Sequence, residues 1–177
     1  HDRRLTTEAI DADTPREAKT LVDVLHWHAQ RHPARTHVLF QRSARETEAF
    51  SYAELLATAR QIAAGLHGRN VRAGDFVALM LPTGLEFFQS FFGILLVGAV
   101  PVPIYPPTRP GQIEDHLRRQ AGILQNCEAV ALVSFDAARL VAHILSGLVP
   151  SLRIVTTPEE LRAILGLARE RGLWIVA

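Results

Sequence analysis

Gly98-Ala99-Val100-Pro101-Val102-Pro103-Ile104-Tyr105-Pro106-Pro107 carries two prolines at alternate positions within a run of β-formers. Two prolines at alternate positions remove two amide donors on the same side of an extended segment, so a strand here pairs fully on one edge only. Val100, Val102, Ile104 and Tyr105 are β-formers, and the Tyr-Pro-Pro that follows keeps the backbone extended as it leaves the sheet. The reading is a short, one-sided strand with a stiff exit, its other edge available to a neighbour.

The run that leads into this strand is a helix by its pattern. Thr83 and Glu86 have the spacing of a capping box, and Phe87, Phe88, Phe91, Phe92, Ile94, Leu95, Leu96 and Val97 cover nearly the whole circumference. Such a helix is sandwiched between layers. Gln89 and Ser90 interrupt it, and Gly98 to Pro101 ends it short of the roughly 20 residues a bilayer requires, so no membrane span is expected. Before it, Ala73-Gly74-Asp75 turns the chain into Phe76 to Leu81, an apolar run without alternation that predicts a strand buried on both faces.

Toward the amino terminus, Ser51 and Glu54 form another capping box. Leu55, Ala59, Ile62, Ala63 and Leu66 then line one helix face, with Gly68 at the position of a left-handed cap. Val38 to Gln41 and Glu48 to Tyr52 read as a hairpin around polar Arg42 to Thr47. Thr20 and Asp23 start a short amphipathic helix with Leu21, Val24, Leu25 and His28 on one face, stopped by His32-Pro33. His1 to Ala18 is polar and aperiodic and reads as a mobile leader. It has no apolar run of a secretory signal, and the absence of an initiator Met suggests a processed or excised piece.

Downstream, Ile113, Leu117, Ala121 and Leu124 make a helical stripe with Glu114, Asp115, Arg118 and Arg119 on the wet side. Ala129 to Val133 is strand-like, Ala137 to Leu145 helical, and Leu152 to Val155 a further strand. Thr157-Pro158-Glu159-Glu160 starts the next helix with cap, N1 proline and acidic first turn in order; Gly172 ends it, and Leu173 to Val176 reads as a strand. Strands and helices alternate throughout, so the expected fold class is α/β, a mainly parallel sheet sandwiched by helices.

Composition limits the chemistry. With 177 residues, 48% apolar and 21% charged, the chain is long enough to bury a real core. A net charge of +1 gives no overall field favouring nucleic acid or an anionic membrane. Cys127 is the only cysteine, which excludes an internal disulfide and a thiolate zinc cluster and fits a reducing, cytoplasmic location. His28 and His32 share a helix face, but Ala29 stands where a metalloprotease helix has Glu, so solvated or core-edge histidine is preferred. Arg118 and Arg119, beside Arg109, form a basic group able to hold an anion, although outer-face charges are usually just solvated. No G-x-G-x-x-G, G-x-x-x-x-G-K-[ST] or G-x-S-x-G pattern occurs.

Several stretches together resemble one family. Thr20 to Leu25, His32-Pro33, Phe50 to Leu55, Ala73 to Pro82 and Gly98 to Pro103 match, in order and spacing, the opening of adenylate-forming enzymes. Ile104-Tyr105-Pro106-Pro107, followed by Arg109 and an amphipathic helix, is most similar to the fatty acyl-AMP ligases. The resemblance runs from about Thr20 to about Val155, well under half of such an enzyme. It implies that residues 1–18 precede an N-terminal subdomain, 19–177, truncated before the phosphate loop. It also implies a parent enzyme that uses ATP and Mg to convert a fatty acid into acyl-AMP and passes the acyl group to an acyl carrier protein.

The resemblance carries over no catalytic, cofactor-binding or metal-ligating residue, and it leaves the substrate-binding residues open. The family's phosphate loop and C-terminal lysine have no counterpart here, since Lys19, the only lysine, lies in the polar leader. This piece alone is therefore expected to bind no cofactor, to be inactive, and to self-associate at high concentration. The alternative is a non-catalytic docking module with an adenylate-forming-like fold. Pro158 to Ala177 also resembles the helix and strand before the cofactor-binding Asp of pyridoxal-phosphate aminotransferases, a similarity attributed to chance because a capped helix followed by a strand is common.

Overall fold

Local signals set most element starts in the computed structural model, which describes residues 14–43, 46–106 and 113–163. The Thr20 hydroxyl accepts from the Asp23 amide at 3.1 Å while the Asp23 carboxylate accepts from the Thr20 amide at 2.9 Å, and α1 (Leu21–Arg31) follows. Leu25 on that helix is buried, whereas Leu21, expected on the same face, is exposed in the first turn. β1 (Thr36–Gln41) and β2 (Thr47–Ser51) pair antiparallel as a two-stranded sheet of their own. Ser51 and Glu54 form the expected reciprocal cap for α2 (Tyr52–Gly68).

Two local expectations need correction. Gly68 is the last helical residue and not a left-handed cap; the turn is made by Asn70 at φ 70°. α3 (Leu85–Leu96) starts from an extended Gly84 with no side-chain cap, so the Thr83–Glu86 spacing matches a capping box that does not form. Gly84, with its extended backbone, takes the N-cap position one residue after Thr83.

The rest alternates as expected: β3 (Phe76–Leu79), α3, β4 (Val100–Pro103), α4 (Ile113–Asn126), β5 (Ala131–Val133), a 3-10 turn at Asp136–Ala138, α5 (Arg139–Leu148) and β6 (Ile154–Thr156). A helix then begins at 158–163, capped by Thr157, whose hydroxyl accepts from the Glu160 amide at 3.2 Å. Gly172 and the strand expected at Leu173 to Val176 lie outside the described residues, as does the leader before residue 14. The four strands form one sheet, order β4-β3-β5-β6, every neighbouring pair parallel.

Alternation along the strands splits the interior into two layers. Val77, Leu79, Ala131 and Val133 face Ile62, Leu66, Ile94 and Leu161, so α2, α3 and the final helix cover one side. Ala78, Met80 and Leu132 face Ala121, Leu124, Ala142 and Leu145, so α4 and α5 cover the other. β3, the central strand, is thus buried on both faces along Val77 to Leu79. α3 is sandwiched: Phe87 and Phe91 pack toward the sheet layer, and Phe88, Phe92 and Leu96 pack with Leu25, Phe50 and Leu55 under the hairpin. Its fully enclosed residues are Ser90, Gly93 and Ile94, while the phenylalanines are half-buried.

β4 is the edge strand its prolines predict. The Val100 amide donates to the Asp75 carbonyl at 2.8 Å and the Ile104 amide to the Leu79 carbonyl at 3.0 Å, both toward β3. Among the described residues no helix is long and apolar enough to cross a membrane.

Candidate functional site

The order of the strands places a ligand-binding position before any side chain is considered. From β3 the chain goes first to β4 on one side and later to β5 on the other, and the connecting helices lie on opposite faces. In open α/β sheets the crevice beyond the carboxyl ends of strands at such a reversal is where ligands bind. Here it lies beyond Leu79 and Val133, and the chain segments that border it are Met80 to Gly84, Ser134-Phe135 and Thr156-Thr157.

Two hollows occupy this end. The larger, about 460 Å³, lies between the hairpin and the start of α3, lined by Arg42, Glu48, Thr83, Gly84, Glu86 and Arg162 among others. Its charges are already matched in pairs: Arg42 with Glu48 at 2.6 Å and Arg162 with Glu86 at 3.3 Å. The smaller, about 40 Å³, is walled by Ser134, Arg139, His143, Thr156 and Glu160. The Glu160 carboxylate accepts from the Thr156 hydroxyl at 3.0 Å, the Thr157 amide at 3.2 Å and Arg139 at 3.4 Å. Burial pushes this carboxyl up, but those donors outweigh it and hold the pKa below the usual value. The Ser134 hydroxyl, 2% exposed, has no protein partner.

This geometry is that of a scaffold end. Each carboxylate that borders the two hollows has at least one oxygen engaged by a cation or a hydroxyl, and Glu48 keeps its buried Oε2 without a partner. Among the described residues no group of His, Cys, Asp or Glu is arranged to hold a metal ion.

The residues weighed in the sequence fall elsewhere. His28 stacks on Tyr52 at 4.3 Å between ring centroids, and its ring lies 6.2 Å from that of His32. Arg118 pairs with Glu114 at 3.4 Å and Asp115 at 4.0 Å on the exposed face of α4, so its charge is met within the helix. Arg109 lies outside the described residues. Sequence reading missed His37, which β1 brings within 4.5 Å of the Tyr52 ring, centroid to centroid. No spacing rule links positions 28, 37 and 52, because the hairpin fold joins them.

A family model for AMP-binding enzymes matches residues 25–168. The match runs into the helix at 158–163, so that helix goes with the rest of the chain. A medium-chain fatty acid–acyl carrier protein ligase, JamA of Moorena producens, is 34% identical over 119 residues, 67% of this chain and 20% of the relative. The long-chain fatty acid–AMP ligase FadD32 of Mycolicibacterium smegmatis is 33% identical over 88 residues, 50% of this chain and 13% of the relative.

Among solved structures, a fatty acyl-adenylate ligase from a study of the Escherichia coli and Legionella pneumophila enzymes superposes with a TM-score of 0.75 at 27% identity. It covers 84% of this chain and 26% of that one. The Legionella pneumophila ligase in complex with acyl adenylate and pyrophosphate gives 0.69 at 25% identity, over 91% of this chain and 26% of that one. The chain thus spans about a quarter or less of the length of these proteins. On the sheet order, the sandwiched α3 and the match over residues 25–168, the chain belongs to the AMP-binding enzyme family.

Proposed function

We propose that this chain is the N-terminal part of a fatty acyl-AMP ligase, with residues 1–18 as leader and 19–177 as the first part of its AMP-binding domain. The parent protein would join a fatty acid to AMP from ATP and pass the acyl group to an acyl carrier protein. The observation that carries this reading is the superposition at TM-score 0.75 on a fatty acyl-adenylate ligase over 84% of the chain. The 34% identity to an acyl carrier protein ligase supports the choice of acceptor. Mass-spectrometric detection of acylated carrier protein, against acyl-CoA in a parallel reaction, tests that choice in the parent.

The described residues do not fit the site for ATP and Mg. They contain no metal-holding cluster, and the sequence has no glycine-rich phosphate loop. In this reading the chain supplies the sheet end and the α3 layer, other parts of the parent supply the reacting groups, and the piece alone is inactive. It also self-associates at high concentration through apolar surface such as Leu140, Ile144 and Leu148, which lie exposed one turn apart on α5. A cytoplasmic location fits the single cysteine.

A second reading, a docking module without catalysis, is favoured by one observation. Disco-interacting protein 2 of Drosophila melanogaster is 34% identical over 99 residues, 54% of this chain and 6% of that protein. Acyl-adenylate formation by the parent decides between the two.

A further inference from the structure

The outer edge of β4 determines what can add to this sheet. Val100 and Ile104 direct their amides to β3, at 2.8 Å from the Asp75 carbonyl and 3.0 Å from the Leu79 carbonyl. Alternation along a strand puts Val102 on that same side. The positions between them, whose backbone groups turn away from β3, are Pro101 and Pro103. The outward edge therefore offers two carbonyl oxygens and no amide. A strand laid along it gets acceptors but no donors, and two copies meeting through this edge would set carbonyls against carbonyls.

We propose that Pro101 and Pro103 make the β4 edge a surface that refuses a second strand, in particular the same edge of a second copy of this chain. On this proposal the edge expected to be available to a neighbour is available as an acceptor only. The guard has something to protect: Val100 is 40% exposed and Tyr105, at the exit, is 83% exposed, and among the described residues β4 pairs with β3 alone. Among the described residues the opposite end of the sheet is β6, three residues long.

The test compares the 177-residue chain with its Pro101→Ala/Pro103→Ala variant by sedimentation velocity over a concentration series, with amide exchange at positions 101 and 103. The variant is expected to associate at a concentration at least roughly tenfold lower than the parent sequence, since each of the two copies regains two amide donors. Its two new amides should gain protection as concentration rises. Pro106→Ala, beyond the strand, serves as control and should behave as the unmodified chain. If the double variant does not fold, the single variants, each restoring one donor, should show intermediate association. A folded variant that associates no more than the unmodified chain overturns the proposal, as does a Pro106→Ala control that associates equally.

Discussion

The carbonyl oxygen of Leu161 lies against the Cα of Gly65, with no room between them for a β-carbon. This contact joins the last described helix to α2, and Arg69 reinforces it by donating to the carbonyls of Gly65 and Glu160, each at 3.4 Å. Because the obstruction is backbone, it cannot swing aside. Gly65→Ala should therefore cost about 1 to 3 kcal/mol, the range for overpacking a fitted site. Urea melts at constant slope would show it, and an unchanged midpoint would mean that the final helix does not sit on α2.

Stability should also track depth along α3. Ile94 is fully enclosed, whereas Phe91 and Phe92 are half-buried. Ile94→Ala should lose about 2 to 5 kcal/mol, with Phe91→Ala and Phe92→Ala below the ~3 to 5 kcal/mol of a fully buried phenylalanine. Denaturant melts of the three variants check the order. Losses below about 1 kcal/mol at all three sites would place the helix on the surface.

The end of α2 separates two readings of one glycine. If Gly68 were a left-handed cap, alanine there would be strained; as the last helical residue it should accept alanine with a gain of roughly 0.5 to 1 kcal/mol. Thermal unfolding of Gly68→Ala decides between them. A loss of stability would restore the left-handed reading.

These cases show how far the sequence reached. Capping at Thr20, Ser51 and Thr157 was legible because donor and acceptor lie three residues apart and need nothing else. The same rule misread Thr83, where the exit from β3 sets the helix start, and Gly68, where Asn70 took the left-handed conformation. The parallel sheet followed from alternation of elements, and the edge position of β4 from its two prolines. The strand order, and hence the reversal that marks the crevice, did not, because register is fixed by contacts between Leu79, Val133 and Thr156 far apart in the chain. For the candidate site, no pattern in the sequence pointed to the orphaned Ser134 hydroxyl.

The ring stack predicts a pH response. Burial first, and then the neighbouring His28, hold the His37 pKa below the ordinary imidazole value. Its ring is packed by Tyr52, Phe50 and Phe92, and His28 stacks on the same Tyr52. The folded chain thus binds fewer protons here than the unfolded one. The contribution is intact above the unfolded pKa of about 6.5 and is lost as pH falls through the folded value. Urea midpoints should drop on acidification from pH 8 to 5.5, and His37→Phe should flatten that part of the slope. An identical slope in the variant would show that His37 does not couple to folding.

Fatty-acid-dependent exchange of labelled pyrophosphate into ATP, measured on the parent protein and on the isolated 177 residues side by side, decides whether the parent is a fatty acyl-AMP ligase of which this chain is one part. The parent should exchange only when a fatty acid is present, and the isolated chain should not exchange with any fatty acid, because its described residues hold no metal cluster and its sequence no phosphate loop. A parent without exchange across short, medium and long acyl chains, or a purified 177-residue chain with heat-labile exchange of its own, would contradict the account.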